Sequence, residues 1–193
     1  MMCARQPVQM TPLSRTIWRV ASRRLRRAHL ALALLFAATE LSLPATRALA
    51  VEPVPVAVAD FDYSDTSGEI ADQIEAHRAR VATFGNLVRD SLAADGKYRV
   101  ILIDCPEHPC TAASMRPDDF VARARQSGAR LVVYGGIRKM STLVQWGEVQ
   151  VLDLDRSELL LRRTVTFRGD TDTAFRRAAD FVGETVKDVM PKP

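Results

Sequence analysis

The sequence predicts an α/β (α+β) domain: a single mixed β-sheet of about five strands with helices packed against it, in the order β-α-β-α-β-β-β-α. Three observations predict it. Leu131-Val132-Val133-Tyr134 is a continuous β-branched and aromatic run between Gly128 and Gly135-Gly136, which suits a central strand covered on both faces. Ile70, Ile74, His77, Val81, Phe84, Val88 and Leu92 recur at steps of three and four, the stripe of one long helix. Leu159 to Arg168 alternates in type, as a strand with two unlike faces does.

Taken in order, Val54 to Phe61 reads as the first strand, and Asp62 to Gly68 as a polar loop after it. Ser67 or Gly68 stands where a helix cap belongs, with Glu69 in the first turn. Gly85 inside the helix costs up to about 1 kcal/mol against Ala, a cost that close approach to the sheet would offset. Asp95-Gly96 closes the helix, and Lys97 to Asp104 is the second strand. Pro117 opens a short helix, Asp118 to Gln126, which Gly128 ends. In the central strand, Gly135-Gly136 breaks the apolar run. Thr142 to Leu154 and Leu159 to Arg168 read as two long antiparallel strands joined at Asp155-Arg156-Ser157. In the last of them Leu159, Leu161, Val165 and Phe167 share a face that Arg163 interrupts. The chain closes with a helix turning Phe175, Ala178, Ala179, Val182 and Val186 inward.

The first fifty residues read as an address rather than as structure. Six arginines between Arg15 and Arg27 precede an apolar run from Ala28 to Ala38, and Ala48-Leu49-Ala50 follows Pro44. Basic start, short apolar stretch and small-residue site make a secretory signal peptide cleaved after Ala50. The run is too short to span a bilayer, which takes roughly 20 apolar residues. Residues 51–193 are then one mature domain, with no membrane span left and a periplasmic location expected. Residues 1–50 hold 8 of the 27 basic and 1 of the 23 acidic residues, leaving 19 basic and 22 acidic, a net charge of −3. The full chain's charge of +4 therefore belongs to the address and is no nucleic-acid footprint, which requires a basic patch on the folded domain.

Val56-Ala57-Val58-Ala59-Asp60-Phe61, the long helix, Gly96-Lys97-Tyr98-Arg99-Val100, Gly128 to Gly135 and Val151-Leu152-Asp153 carry a resemblance. The chain resembles the bacterial envelope fold shared by the TolB amino-terminal domain, CsgG and LpoB, and a family of small exported proteobacterial domains of unknown function. The resemblance spans nearly all of residues 54–190 and implies a non-enzymatic role in binding another envelope protein. It implies no site residue, because what is shared is the fold itself. The chain departs from those relatives in having no lipid-attachment Cys after the apolar run.

Cys105 and Cys110 are the cysteines left once Cys3 is removed with the signal. In an oxidising compartment a disulfide is their simplest state. A redox pair wants two intervening residues and here there are four. A metal set of Cys105, His108 and Cys110, soft thiolates with an imidazole, is the other alternative. His77 on the helical stripe reads as a hydrogen-bonded edge histidine or as a buried acid–base group. Asp60, Asp62, Asp65 and Glu69 gather at the carboxyl end of the first strand, where open α/β sheets often bind ligands. They read as loop acids or as hard oxygen donors for a cation. Asp62, Tyr63, Asp65 and Trp146 are the candidate partner surface, Trp146 being core or interface anchor. Arg162, Arg163, Arg168, Arg176 and Arg177 form a basic group near the carboxyl end that suits an acidic partner or a solvated face.

No Gly-rich phosphate loop follows the first strand and no cofactor is expected. The sequence therefore predicts an exported, non-enzymatic accessory domain that binds another cell-envelope protein. The alternative is a periplasmic module for a small ligand or metal.

Overall fold

The computed structural model describes residues 52–70, 73–106 and 109–192. The expected signal peptide, its cleavage site and Val51 lie outside the described residues, as does His108. The elements are β1 (Val54–Val58), β2 (Asp62–Asp65), α1 (Ile74–Ala94), β3 (Tyr98–Ile101), α2 (Pro117–Gln126), β4 (Leu131–Lys139), β5 (Val144–Asp153), β6 (Glu158–Arg168) and α3 (Asp172–Val189). One mixed sheet runs β3-β1-β4-β5-β6, with β2 also paired to β4. β1 is parallel to β3 and β4, and β4, β5 and β6 are antiparallel in turn.

β4 is the middle strand, and its alternate residues feed two cores. Leu131 and Val133 join Val56, Val58, Val149 and Val151 beneath α1 and α3. Val132 joins Ala57, Ala59, Phe120 and Ala124 beneath α2. The run is apolar on both sides because helices cover both sides of it. α1 and α3 also touch closely, since a Cβ at Gly183 would lie 2.5 Å from Ser91 Oγ.

Five expectations are corrected. The sheet has six strands, because Asp62–Asp65 is β2 rather than loop, hydrogen-bonded to β4 at Gly136 to Lys139. β1 and β2 are one path along β4 with a residue extra between them: Val58 pairs with Val133 and Asp62 with Gly136. Gly135-Gly136 does not end β4. The strand passes through both, and Gly135 is required because a Cβ there would lie 2.0 Å from Glu148 O on β5.

α1 begins at Ile74, later than the stripe implies, with Gln73 as N-cap. Ile70 and Ile74 are 103% and 56% exposed, and the buried stripe starts at His77. Gly85 is not forced by close packing: an added Cβ would meet Arg89 and Phe61 at ordinary contact distances of 3.5 and 3.7 Å. In β6, a register shift opposite Val151/Leu152 puts Leu159 across from Leu152. Leu159 therefore leaves the core face and is exposed.

Candidate functional site

The site lies where β2, the start of α1, the end of β4 and the β6–α3 junction meet. Its centre is Lys139, the last residue of β4, with a relative exposure of 0%. Leu131, Val133, Ile137 and Lys139 share a parity, so Lys139 enters the face covered by α1 and α3. A buried ammonium requires compensation by hydrogen-bonded anions. Lys139 Nζ donates to Glu69 Oε2 and, at 2.8 Å, to Asp170 Oδ2. Asp65 Oδ2 stands 4.0 Å away.

Asp170 is the hub. It takes His77 Nε2 at 2.7 Å and Arg80 Nη1 at 2.8 Å besides Lys139. Burial disfavours its charge, but the hydrogen bonds from Lys139 and His77 outweigh burial and hold its carboxyl below the ordinary range. Burial likewise disfavours the Lys139 cation, and its bonds to Asp170 and Glu69 reverse the balance and raise its pKa. Lys139 is thus a fixed cation rather than a nucleophilic amine. Tyr63 packs on the His77 ring at 5.0 Å between centroids. Its hydroxyl, pushed up to about 12 chiefly by burial and then by Asp65 and Asp170, finds no hydrogen-bond partner among the described residues. The Gln145 amide, across from Lys139 in the ladder, is buried and unpartnered in the same way.

His77 is the hydrogen-bonded histidine of the first of its two readings, and it is also buried. Among the described residues its side-chain neighbours are Asp170, Asp65 and Tyr63, none of them a Ser or Cys nucleophile of the kind acyl transfer uses. The four clustered acids do not converge on a common point. Asp60 pairs with Arg89 at 2.7 Å and accepts from Cys110 N at 2.8 Å. Asp62 accepts from Ala113 N at 3.3 Å. Asp65 accepts from both the amide and hydroxyl of Ser67, which hold its carboxyl low against the opposing effect of burial. Glu69 serves Lys139.

Cys105 and Cys110 are joined in a disulfide with Cα atoms 5.8 Å apart, and both are buried in the core beneath α2. Asp60 ties that loop to the sheet. The third member of the metal alternative, His108, lies outside the described residues.

The candidate partner surface divides between two faces. Tyr63 and Asp65 pair with Ile137 and Lys139 on the face of α1 and α3, and Asp62 pairs with Gly136 on the face of α2. Trp146 is half-buried on that second face, with Arg138 5.9 Å above its ring. Arg138 also reaches Ser64 of β2. Lys139, Asp170 and Arg80 were not among the residues the sequence singled out. Strand parity carried through Gly135-Gly136 would have placed Lys139 inside, but nothing local marks Asp170 as its partner.

Along the open edge of β2 lies a groove of about 1070 Å³, floored by Phe61, Tyr63, His77 and Val81 and rimmed by Ile70 and Ile74. It runs from the start of α1 to the disulfide loop at Pro109 and Thr111.

The family described as DUF3280, Protein of unknown function (DUF2380), matches residues 54–185. The chain belongs to the DUF3280 family. No curated protein matches its sequence. The fold of this DUF3280 domain is similar to that of TolB from Acinetobacter baumannii, with TM-score 0.48 and 14% identity over 72% of this chain and 28% of that one. It is similar to a PelC dodecamer subunit from Paraburkholderia phytofirmans, with TM-score 0.44 and 14% identity over 68% of this chain and 87% of that one. A third likeness is the LpoB C-terminal domain from Escherichia coli, with TM-score 0.37 and 14% identity over 61% and 84% of the two chains. The chain spans little more than a quarter of the length of the TolB it matches, 28%. Among the described residues no helix is long and apolar enough to cross a membrane.

Proposed function

We propose that this chain is an exported domain, cut after Ala50, that serves in the periplasm as a non-enzymatic accessory and holds a segment of another envelope protein in the groove beside β2. The observation that carries this reading is the groove itself, a long cleft with two exposed isoleucines at its rim. Large aliphatic groups at the lip of a cleft favour a partner that covers them. β2 pairs with β4 alone among the described residues, so its other edge offers backbone groups to an extended segment. The ion-pair network behind the groove supports the same role. It anchors the start of α1 and the segment after β2, so the groove wall is rigid before a partner arrives and little ordering entropy is lost on binding. Asp62 and Asp65 at the rim favour a segment with basic residues among its apolar ones.

The test is a photo-crosslinking residue at position 70 in the full chain, expressed in its native envelope. One envelope protein should be captured, and Ile74→Asp should abolish the capture while leaving thermal unfolding unchanged. Capture of nothing specific, or capture indifferent to Ile74→Asp, would sink the reading. The mass of the recovered protein also reports whether its amino terminus is Val51. The groove's volume of about 1070 Å³ favours one second reading, a small ligand, since ligand pockets run to about 1,000 Å³. Such a ligand raises the unfolding midpoint of the isolated protein by mass action, and a purely protein-binding groove shows no such rise with periplasmic small molecules.

A further inference from the structure

We propose that the outer edge of β6, with the groove between β6 and α3, is a strand-addition site for an acidic extended segment of a protein partner. This surface is separate from the β2 groove and stands on its own observations. β6 is the last strand in the sheet order and, at 11 residues, the longest. Among the described residues it pairs with β5 alone. Half of its backbone amides and carbonyls therefore face outward, the template on which an extended peptide adds a strand.

Beside that edge lies a groove of about 540 Å³. Val165, Phe167, Ala174 and Ala178 line it, and Phe181 of α3, 49% exposed, stands in its wall. Alternate side chains of an added strand would drop into it, since successive residues of a strand point to opposite faces.

The charge chooses the occupant. β6 carries Arg162, Arg163 and Arg168, and its one acid, Glu158, stands at the far end of the strand across from Asp153. Arg177 lines the same groove, and Arg176 precedes it. Arg162 is paired with Glu148 at 3.1 Å. Arg163, Arg168, Arg176 and Arg177 are all exposed and have no ion pair among the described residues. On α3, Asp172 is taken by Arg80 and Glu184 by Lys187, and Asp180 and Asp188 do not line the groove. A second copy of this chain is disfavoured on the same ground. An antiparallel register centred on Val165 would set Arg162 against Arg168, and like charges directly opposite destabilise a strand pair. Acidic and apolar side chains at every second position of the segment fall together on the groove face, where they meet Arg163 and Arg177 and fill the space beside Phe181.

The test selects a displayed library of random twelve-residue peptides on the full chain. Enriched peptides should place Asp or Glu two or four residues from an apolar residue, so that both fall on one strand face. Their binding should weaken at least tenfold in Arg163→Gln/Arg177→Gln, whose thermal unfolding should match the parent. Peptide binding should also slow hydrogen exchange of β6 amides while leaving β2 amides unchanged. Peptides without acidic bias, or binding indifferent to the double substitution, would overturn the site. So would a double variant that begins to dimerise while no peptide binds either form, since the arginines would then serve only to keep edges apart. Binding of phosphatidylglycerol vesicles in place of any peptide would assign the surface to a membrane and overturn it equally.

Discussion

Lys139 and Arg163 project from the same face of one sheet, yet their surroundings are opposite. Lys139 ends the middle strand and is enclosed, with Glu69 and Asp170 bonded to its ammonium and Asp65 near. Arg163 sits on the last strand, exposed, and no carboxylate meets it among the described residues. The difference follows from position in the sheet. A cation under two helices is stable only if anions accompany it, whereas a cation on an edge is solvated by water. The buried group is therefore committed to holding β2, β4, α1 and α3 together, and the exposed arginines keep their charge available to something outside the domain.

Four measurements can break or sharpen that contrast. The largest effect is expected from Lys139→Met, which takes the buried cation from the half-buried Glu69 and leaves Asp170 with His77 and Arg80 alone. Losing one partner of a buried pair costs about 3–5 kcal/mol, to be read from urea unfolding. A loss under about 1 kcal/mol would mean that the network does not hold the fold.

Asp170→Asn should cost about 2 kcal/mol at neutral pH, the scale of hydrogen bonds to a charged group. Its pH dependence has a definite sign. Asp170 titrates below its ordinary value of 3.8 in the folded protein, so its contribution is complete above that value and is lost as pH falls through the lower, folded one. The gap in stability between parent and variant should hold from pH 7 to 5 and narrow below about pH 4. A gap of equal size at pH 3 would show that the charge on Asp170 is not what matters.

Gln145 sharpens the comparison from the other direction. It lies across from Lys139 and is as deeply buried, but its amide has no partner among the described residues. Gln145→Leu should raise stability by about 1 kcal/mol, because an unsatisfied buried polar group carries an uncompensated desolvation cost. A loss of stability would show that the amide is satisfied in solution. The smallest effect belongs to Arg163→Ala, which should change stability by less than about 0.5 kcal/mol. A larger loss would place Arg163 with Lys139 among the structural cations.

Much of this fold was legible. The apolar run at Leu131 to Tyr134, the two antiparallel strands, the Pro117 helix start and the inward residues of α3 all follow from periodicity and local turn chemistry. The disulfide was legible too, as the simplest state of two cysteines in a chain expected to be exported. What misled was composition read locally. Asp62–Asp65 is polar and reads as loop, but it is a strand because β4 continues past β1 and offers it backbone partners. Gly135-Gly136 reads as a break, but Gly135 is there because β5 passes too close for a side chain, and a Cβ at Gly136 would lie 3.0 Å from Asp62 Cβ of β2. Ile70 and Ile74 fit the helical stripe, but α1 starts after Ile70 and its buried residues begin at His77.

Local pattern accounts for the alternation of strands and helices, the middle strand and the faces that the helices bury, because these depend on neighbours within a turn or a strand. Only the tertiary structure decided that Lys139, His77, Glu69 and Asp170 meet. Asp170 lies 31 residues from Lys139 and 93 from His77. Pairing at that distance in the chain is set by how β4, α1 and the β6–α3 junction pack, which no local pattern records.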